Sequence, residues 1–249
     1  AVAEHIVFFC VAWWVLVRNV KGPILSLPFK GILRENPRIV SFIFNSNMNV
    51  FARNSTRRFD VFLLGGVVSH IDIGLYEIAK RVGLAAIRLS RPMQFVVFPK
   101  LSQFWERGEG LRIFKLVLRF GAVFTIVAVV LVPVFVIWGE EFITIAFGQV
   151  FVAAQPLLIL QIAAASLFMV GAILNSALLS IGRDGVLLGV TVSASLVFFA
   201  LLIPAVNLYG IVAAGWLHVL MSLIWCAGCF YFFVETAGVK KSGTTGIQG

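Results

Sequence analysis

The sequence predicts an all-α membrane protein: a polytopic bundle of transmembrane helices. Three features of its 249 residues predict this class. Hydrophobic residues make up 60% of the chain, charged residues make up only 12%, and Phe occurs 24 times. A soluble domain carries about twice this share of charged residues. Several apolar stretches also reach the roughly 20 residues with which a helix crosses the hydrocarbon core.

The order of the apolar segments predicts about six full spans after one partial helix. Residues 1–17 are too short for a complete crossing, so we interpret them as the end of a longer helix and expect the chain to be a fragment. Residues 18–38 form a basic linker, and residues 236–249 form a polar tail. The six spans lie between 39 and 235, at 39–68, 72–98, 113–137, 152–181, 186–206 and 210–234.

The charge of the connecting segments alternates along the chain. The linker 18–38 and the segment 100–115 are rich in Lys and Arg, whereas 69–74 and 138–149 contain neither. Basic loops face the cytoplasm in membrane proteins, so we expect the carboxyl terminus to be cytoplasmic as well. The net charge of +9 thus fits membrane orientation, and we expect no nucleic-acid partner.

Charged side chains occur inside two of the predicted spans. At about 1.5 Å per residue, Arg53 lies about 21 Å from the start of helix 39–68, close to the membrane midplane. At about 100° per residue, the polar positions of this helix share one narrow arc. They are Asn45, Asn49, Arg53, Thr56 and Asp60, with Arg57 at the edge. The next helix has a second charged face, formed by Glu77, Arg81, Arg88 and Arg91, with Lys80 at its edge.

These faces are too costly to expose to lipid. Four charges near the centre of helix 39–68 cost about 10–14 kcal/mol on the insertion scale. Its apolar side chains recover only about 5–8 kcal/mol. The charged faces must therefore meet each other, another helix bundle or water, and their excess of positive charge favours an anion-binding cavity. Two alternatives stay open: that 53–60 is a cytoplasmic loop beside a span at 59–79, and that the stripes serve only helix packing.

Signals for catalysis are missing from the sequence. It contains no P-loop, no zinc-ligand spacing and no activated serine. His5, His70 and His218 are far apart, and Cys226 and Cys229 lie in an apolar segment where small packing residues are expected. We therefore expect no enzymatic activity, no metal and no cofactor.

The segment RRFDVFLLGGVVSHIDIGLYEIAKRVG resembles the D-x-x-L-L-G and G-L-Y-x-x-A-x-R region of bacterial polysaccharide (O-antigen) flippases. These belong to the multidrug/oligosaccharidyl-lipid/polysaccharide exporter superfamily. RPMQFVVFPKLSQFWERGEG, ALLSIGRDG and IPAVNLYGIVAAGW resemble later segments of the same family, so the resemblance covers about 36–235. It implies the carboxyl-terminal lobe of a two-lobed transporter of the bacterial inner membrane, with 1–17 as the last helix of a missing amino-terminal lobe.

The resemblance implies transport of a polyprenyl-pyrophosphate-linked oligosaccharide to the outer leaflet, by alternating access around a central cationic cavity. This step serves polysaccharide export, as in the O-antigen of lipopolysaccharide. The implied partners are the lipid-linked oligosaccharide, membrane lipids, the missing lobe, a polysaccharide polymerase and glycosyltransferases. The implied site residues are Arg53, Arg57, Lys80, Arg81, Arg88 and Arg91 for the anionic headgroup, Asn45 and Asn49 for sugars, and Asp60 and Glu77 for an ion pair or coupling.

Three other functions remain open at this stage. A flippase for the peptidoglycan lipid precursor would also need a cationic cavity. A multidrug exporter of the same superfamily would need an acidic or aromatic cavity, which the excess of Arg and Lys disfavours. A scaffold subunit without transport activity would use the charged stripes to bind a partner helix.

Overall fold

A computed structural model of the protein describes residues 37–243, apart from the side chains of Arg57 and of residues 237–243. The predictions for residues 1–36 and for the end of the tail lie outside this description. The chain divides into two compact units, 1–43 and 44–249. All packing described below lies within the second unit.

The described part of the chain is helical and contains no strand. Four segments are long and apolar enough to cross a membrane: α4, α5 with the 3₁₀ helix before it, α6, and α7 as far as Thr236. The predicted all-α polytopic bundle is therefore confirmed. Crossing by α1 and by α2 with α3, which are more polar, stays a prediction. The helices are α1 Ile39–Leu64, α2 His70–Leu89, α3 Arg91–Glu106, α4 Gly110–Phe147, the 3₁₀ helix Gln149–Ala154, α5 Gln155–Ser180, α6 Asp184–Tyr209 and α7 Val212–Gly243.

Helix α1 is continuous across the stretch that carries its charges. The alternative with a loop at 53–60 is wrong, because these residues lie in the helix interior and the break comes at 65–69. Gly65 and Gly66 begin this break, as expected from the low helix propensity of glycine. Ser69 then caps α2 by accepting a hydrogen bond from the Asp72 N–H at 3.2 Å.

The predicted span 72–98 consists of two helices that are separated at Ser90. Pro92 lies in the first turn of α3. Proline is tolerated there because the N–H groups of the first turn have no acceptor within the helix, so the missing N–H of proline breaks no hydrogen bond. In an unbroken helix, its ring would clash with the carbonyl of Arg88. Two expectations are corrected. Most of the predicted loop 100–115 is helical, and Arg91 does not share one helix face with Arg81 and Arg88.

The remaining connections are short, and one predicted loop is helical. Helix α4 continues to Phe147 through a kink at Trp138, five residues after Pro133, so 138–149 is not a loop as predicted. Turns occur near both predicted positions, at 181–183 and at 210–211, but residues 184–185 and 207–209 of the predicted turns 182–185 and 207–210 are helical. Each contains a glycine with positive φ, 74° at Gly182 and 71° at Gly210, a conformation that other residues rarely adopt.

Helix α5 forms the core of the bundle. It packs against α2, α3, α4 and α7, and 72% of its apolar window is buried. In α4 only 6% of the corresponding window is buried. An apolar helix that is exposed to this extent needs a nonpolar surrounding, as a membrane provides. The protein is membrane-embedded.

One close contact between α5 and α7 is made at Gly171. A Cβ atom at this position would lie 2.6 Å from the ring of Trp225, which is buried. Close approach through small residues is how membrane helices gain packing energy without a hydrophobic driving force. The α5–α7 crossing therefore depends on the absence of a side chain at position 171.

We predict that Gly171→Ala destabilises the bundle by about 2 kcal/mol through overpacking against Trp225. The control is Gly189→Ala in α6, where an added Cβ meets nothing within 4 Å. This control should be neutral or slightly stabilising, since alanine is the better helix former. Unfolding in mixed detergent–dodecyl sulfate micelles measures both variants. Equal stability of the two would contradict the close-packing account.

Candidate functional site

The carboxylate of Asp60 lies at the centre of a buried polar cluster. Lys80 Nζ donates to both carboxylate oxygens, at 2.6 and 2.7 Å, and the Tyr76 hydroxyl donates at 2.7 Å. His218 Nε2 lies 3.2 Å from the same carboxylate. The exposed fractions of the Asp60 and Lys80 side chains are 0% and 5%. This ion pair joins α1 to α2, and His218 brings in α7.

The hydrogens in this cluster can be assigned from its distances. Tyr76 has one hydroxyl hydrogen, and Asp60 accepts it. His218 Nε2 lies 2.6 Å from the same hydroxyl oxygen, so the imidazole has to carry a hydrogen on Nε2 and donate it. Asp60 thus accepts from every side chain around it. A carboxylate with this set of donors is held ionised, and its charge is matched by Lys80.

The rest of the polar arc of α1 bonds mainly to α6. Asn45 Nδ2 donates to Asp184 at 2.7 Å, and Thr191 donates to Asn49 Oδ1 at 2.6 Å. Thr56 donates to Ser195 at 3.0 Å. These hydrogen bonds hold α1 and α6 together by side chains, which is how polar groups join helices in a membrane.

Arg53 and Thr56 are the members of the arc that border a cavity between the helices. The cavity has a volume of about 50 Å³, is partly open, and is lined by α1, α2, α5 and α7. The guanidinium carbon lies 6.0 Å from the Phe168 ring and 5.9 Å from the Trp225 ring, which together form an aromatic platform beneath the charge. The polar residues around the cavity are Arg53, Thr56, Lys80, Gln161, His218 and Ser222.

Three of the other predicted cations, Arg81, Arg88 and Arg91, lie on the outside of this bundle. Arg81 has a side chain that is 74% exposed, and it pairs with Glu77 across one helical turn at 3.3 Å. Arg88 and Arg91 are exposed as well. The cations thus divide into a cavity pair, Arg53 with Lys80, and an exposed group.

Comparison with known proteins now bears on this arrangement. The model of a family described as polysaccharide biosynthesis protein matches residues 1–156, more than half of the chain. The chain belongs to the polysaccharide biosynthesis protein family. No curated protein and no solved structure gives a significant match. The family segment contains Arg53, Asp60 and Lys80, whereas Gln161 and His218 lie beyond its end.

The predicted site residues of this polysaccharide biosynthesis protein therefore differ in their surroundings. Asp60 and Glu77 both form ion pairs, with Lys80 and Arg81 as partners. Asn45 and Asn49 bond to protein side chains, and their contact with sugar stays a prediction. The side chain of Arg57 lies outside the described residues. Binding of an anionic headgroup by the six cations also stays a prediction.

Sequence reasoning missed two polar residues that the fold brings to this region. His218 was set aside because no other histidine stands near it in sequence, yet it contacts Asp60 across 158 positions. Gln161 received no role, although it is an amide within an apolar span. Polar side chains within a membrane span are functional candidates by default, and this signal was available for both.

Proposed function

We propose that the chain is one lobe of a flippase that moves a polyprenyl-pyrophosphate-linked oligosaccharide across the bacterial inner membrane. The carboxyl terminus is cytoplasmic, and the lipid tail stays in the bilayer during transport. The chain performs no covalent chemistry and uses no metal or cofactor. The glycosyltransferases that build the substrate and the polymerase that extends it act before and after this step.

The observation that carries the proposal is the cationic cavity around Arg53. A member of the polysaccharide biosynthesis family that is embedded in the membrane handles sugar intermediates at the bilayer, where they are attached to lipid phosphates. Arginine binds phosphate through several hydrogen bonds at once, and it stays charged in a low dielectric. Among the described residues, no carboxylate lies within ion-pair distance of Arg53. Its charge is therefore available to an anionic substrate.

The exposed arginines support a second lobe opposite this bundle. A charge at the centre of the bilayer costs about 2.5–3.5 kcal/mol or more when it faces lipid. Arg88 and Arg91 are exposed on this chain, so a covering bundle or water has to receive them. Rocking of two bundles around such a region would present the cations to each side of the membrane in turn.

The test replaces Arg53 with Gln in the full-length protein, in a strain that lacks its own copy. We expect surface polysaccharide to fall at least about tenfold, because a hydrogen bond to a charged group contributes about 1.5–3 kcal/mol. Lipid-linked oligosaccharide should accumulate in the cytoplasmic leaflet. The control is Arg58→Gln, which removes an exposed charge of the same helix that does not border the cavity. Normal export by the inserted Arg53→Gln protein, or equal loss in both variants, contradicts the proposal.

The same strain separates the competing functions. Defective growth of the cell wall with intact surface polysaccharide would favour the peptidoglycan precursor as substrate, and altered dye efflux would favour a drug exporter. A scaffold role is tested with cysteines at positions 81 and 88 and a thiol reagent that does not cross membranes. Labelling indicates a water-filled cavity, whereas complete protection indicates burial against a partner helix.

A further inference from the structure

We infer that the cavity beside Arg53 is a subsite for a single phosphoryl group, and that Gln161 is one of its hydrogen-bond donors. This inference rests on the proposed function, because it assigns one part of the substrate to one place in the bundle. It concerns the phosphate alone, since the sugars and the polyprenyl tail must lie elsewhere.

Gln161 supplies the first evidence. Its side chain is 6% exposed and borders the cavity, and its Nε2 has no hydrogen-bond partner among the described residues. A buried amide N–H without an acceptor costs about 1–3 kcal/mol. Gly83 is in close contact with it, since a Cβ there would lie 3.2 Å from Gln161 Cβ. The base of this side chain is thus held by packing, and its amide needs an acceptor from outside the described residues.

The charge around the cavity selects an anion. Arg53 and Lys80 both border it, and no Asp or Glu does so among the described residues. Lys80 is neutralised by Asp60, which lies behind it and outside the cavity wall. The positive charge of Arg53 is therefore in excess. An anion placed here would accept from Arg53 and from Gln161, which approach from α1 and α5.

The volume limits the anion to a small one. About 50 Å³ holds roughly three to five waters, at the 10–15 Å³ that each requires. The few oxygens of one phosphoryl group match this space, whereas a hexose ring with its hydroxyls does not. Water can fill the cavity in the absence of the anion, because several polar side chains border it. The group that fits is one phosphoryl group, whether it belongs to the pyrophosphate of the lipid-linked substrate or is free phosphate.

The experiment uses the full-length protein in dodecyl maltoside micelles, which contain no phosphate, and titrates two probes by calorimetry. The probes are inorganic phosphate and a polyprenyl monophosphate. We expect Gln161→Leu to weaken binding at least about tenfold, the usual effect of one hydrogen bond to a charged group. Gln161→Glu, which keeps the size and adds a negative charge, should abolish binding. Monodispersity on size exclusion shows that the variants are folded.

The matched control is Asn175→Leu, on the same helix. Asn175 is also buried and also has one side-chain atom without a partner, but it does not border the cavity. Binding of the lipid probe alone identifies the headgroup as the source of the phosphate, and binding of inorganic phosphate alone identifies a free anion. Either binding result supports the subsite if Gln161→Leu weakens that binding and Asn175→Leu does not.

Two results would overturn the inference: binding of neither probe, or equal affinities in wild type and Gln161→Leu. Either could occur while Arg53→Gln still abolishes export, and then the subsite fails and the flippase stands. In the opposite case, phosphate binding would depend on Gln161, while the Arg53→Gln protein would still export surface polysaccharide normally. The flippase would then fail, and the anion site would remain.

Discussion

Replacing Lys80 with Met should lower the free energy of unfolding by about 3–5 kcal/mol, because the substitution leaves a buried carboxylate without its counter-charge. The Asp60 side chain is completely buried and Lys80 is its ionic partner at 2.6 Å. Tyr76 and His218 would still donate to it, but neither supplies a full balancing charge unless His218 is protonated. Unfolding in mixed detergent–dodecyl sulfate micelles gives the free-energy difference from wild type.

The adjacent Arg81 provides a control of the same charge on the same helix. Its ion pair with Glu77 is largely exposed, so Arg81→Met should cost less than about 1 kcal/mol. The double variant Asp60→Leu with Lys80→Met should be more stable than Lys80→Met alone, since it removes the uncompensated charge. Equal effects of the Lys80 and Arg81 substitutions would show that burial of the pair is energetically unimportant.

The sequence predicts the polar arc of α1 but not its partners. A rotation of about 100° per residue is enough to place Asn45, Asn49, Thr56 and Asp60 on one side. Which helix lies opposite depends on packing between segments more than a hundred residues apart. Thr56 meets Ser195 across 139 positions. Asp60 forms its ion pair with Lys80. Which of the nearby cations becomes its partner depends on the relative position of α1 and α2.

The cavity and the helix break show a second limit. Hydropathy averages over many residues, so it does not detect a single proline that separates α2 from α3 at Ser90. The separation decides the position of Arg91, and with it the grouping of the exposed cations. A cavity has no sequence signal of its own, because it is the space that several helices leave. The amide Gln161 was a local sign of a polar environment within α5.

The last prediction concerns Trp225, on which three features of the bundle depend. Its ring is 4.7 Å from Phe168 in a stacked arrangement and lies beneath Arg53, and its N–H donates to Thr191 at 3.0 Å. Trp225→Ala should lower the free energy of unfolding by about 3 kcal/mol. This is the lower end of the range for such changes, because within a membrane the substitution removes packing contacts but does not change hydration. Trp216→Ala on the same helix is the control, and it should have little effect because Trp216 is 61% exposed.

The decisive measurement combines this change with Gly171→Ala. The cost of the alanine at 171 arises from contact with the Trp225 ring, and that contact is absent once the ring is removed. Gly171→Ala should therefore cost almost nothing in the Trp225→Ala background, which gives a coupling of about 2 kcal/mol between the two positions. Simple additivity would mean that Gly171 is required for its backbone and not for the α5–α7 contact. Full coupling would show that the aromatic platform of Arg53 and the α5–α7 contact at Gly171 belong to one packing unit. A change in the distance between α5 and α7 would then alter the surroundings of Arg53 in the cationic cavity.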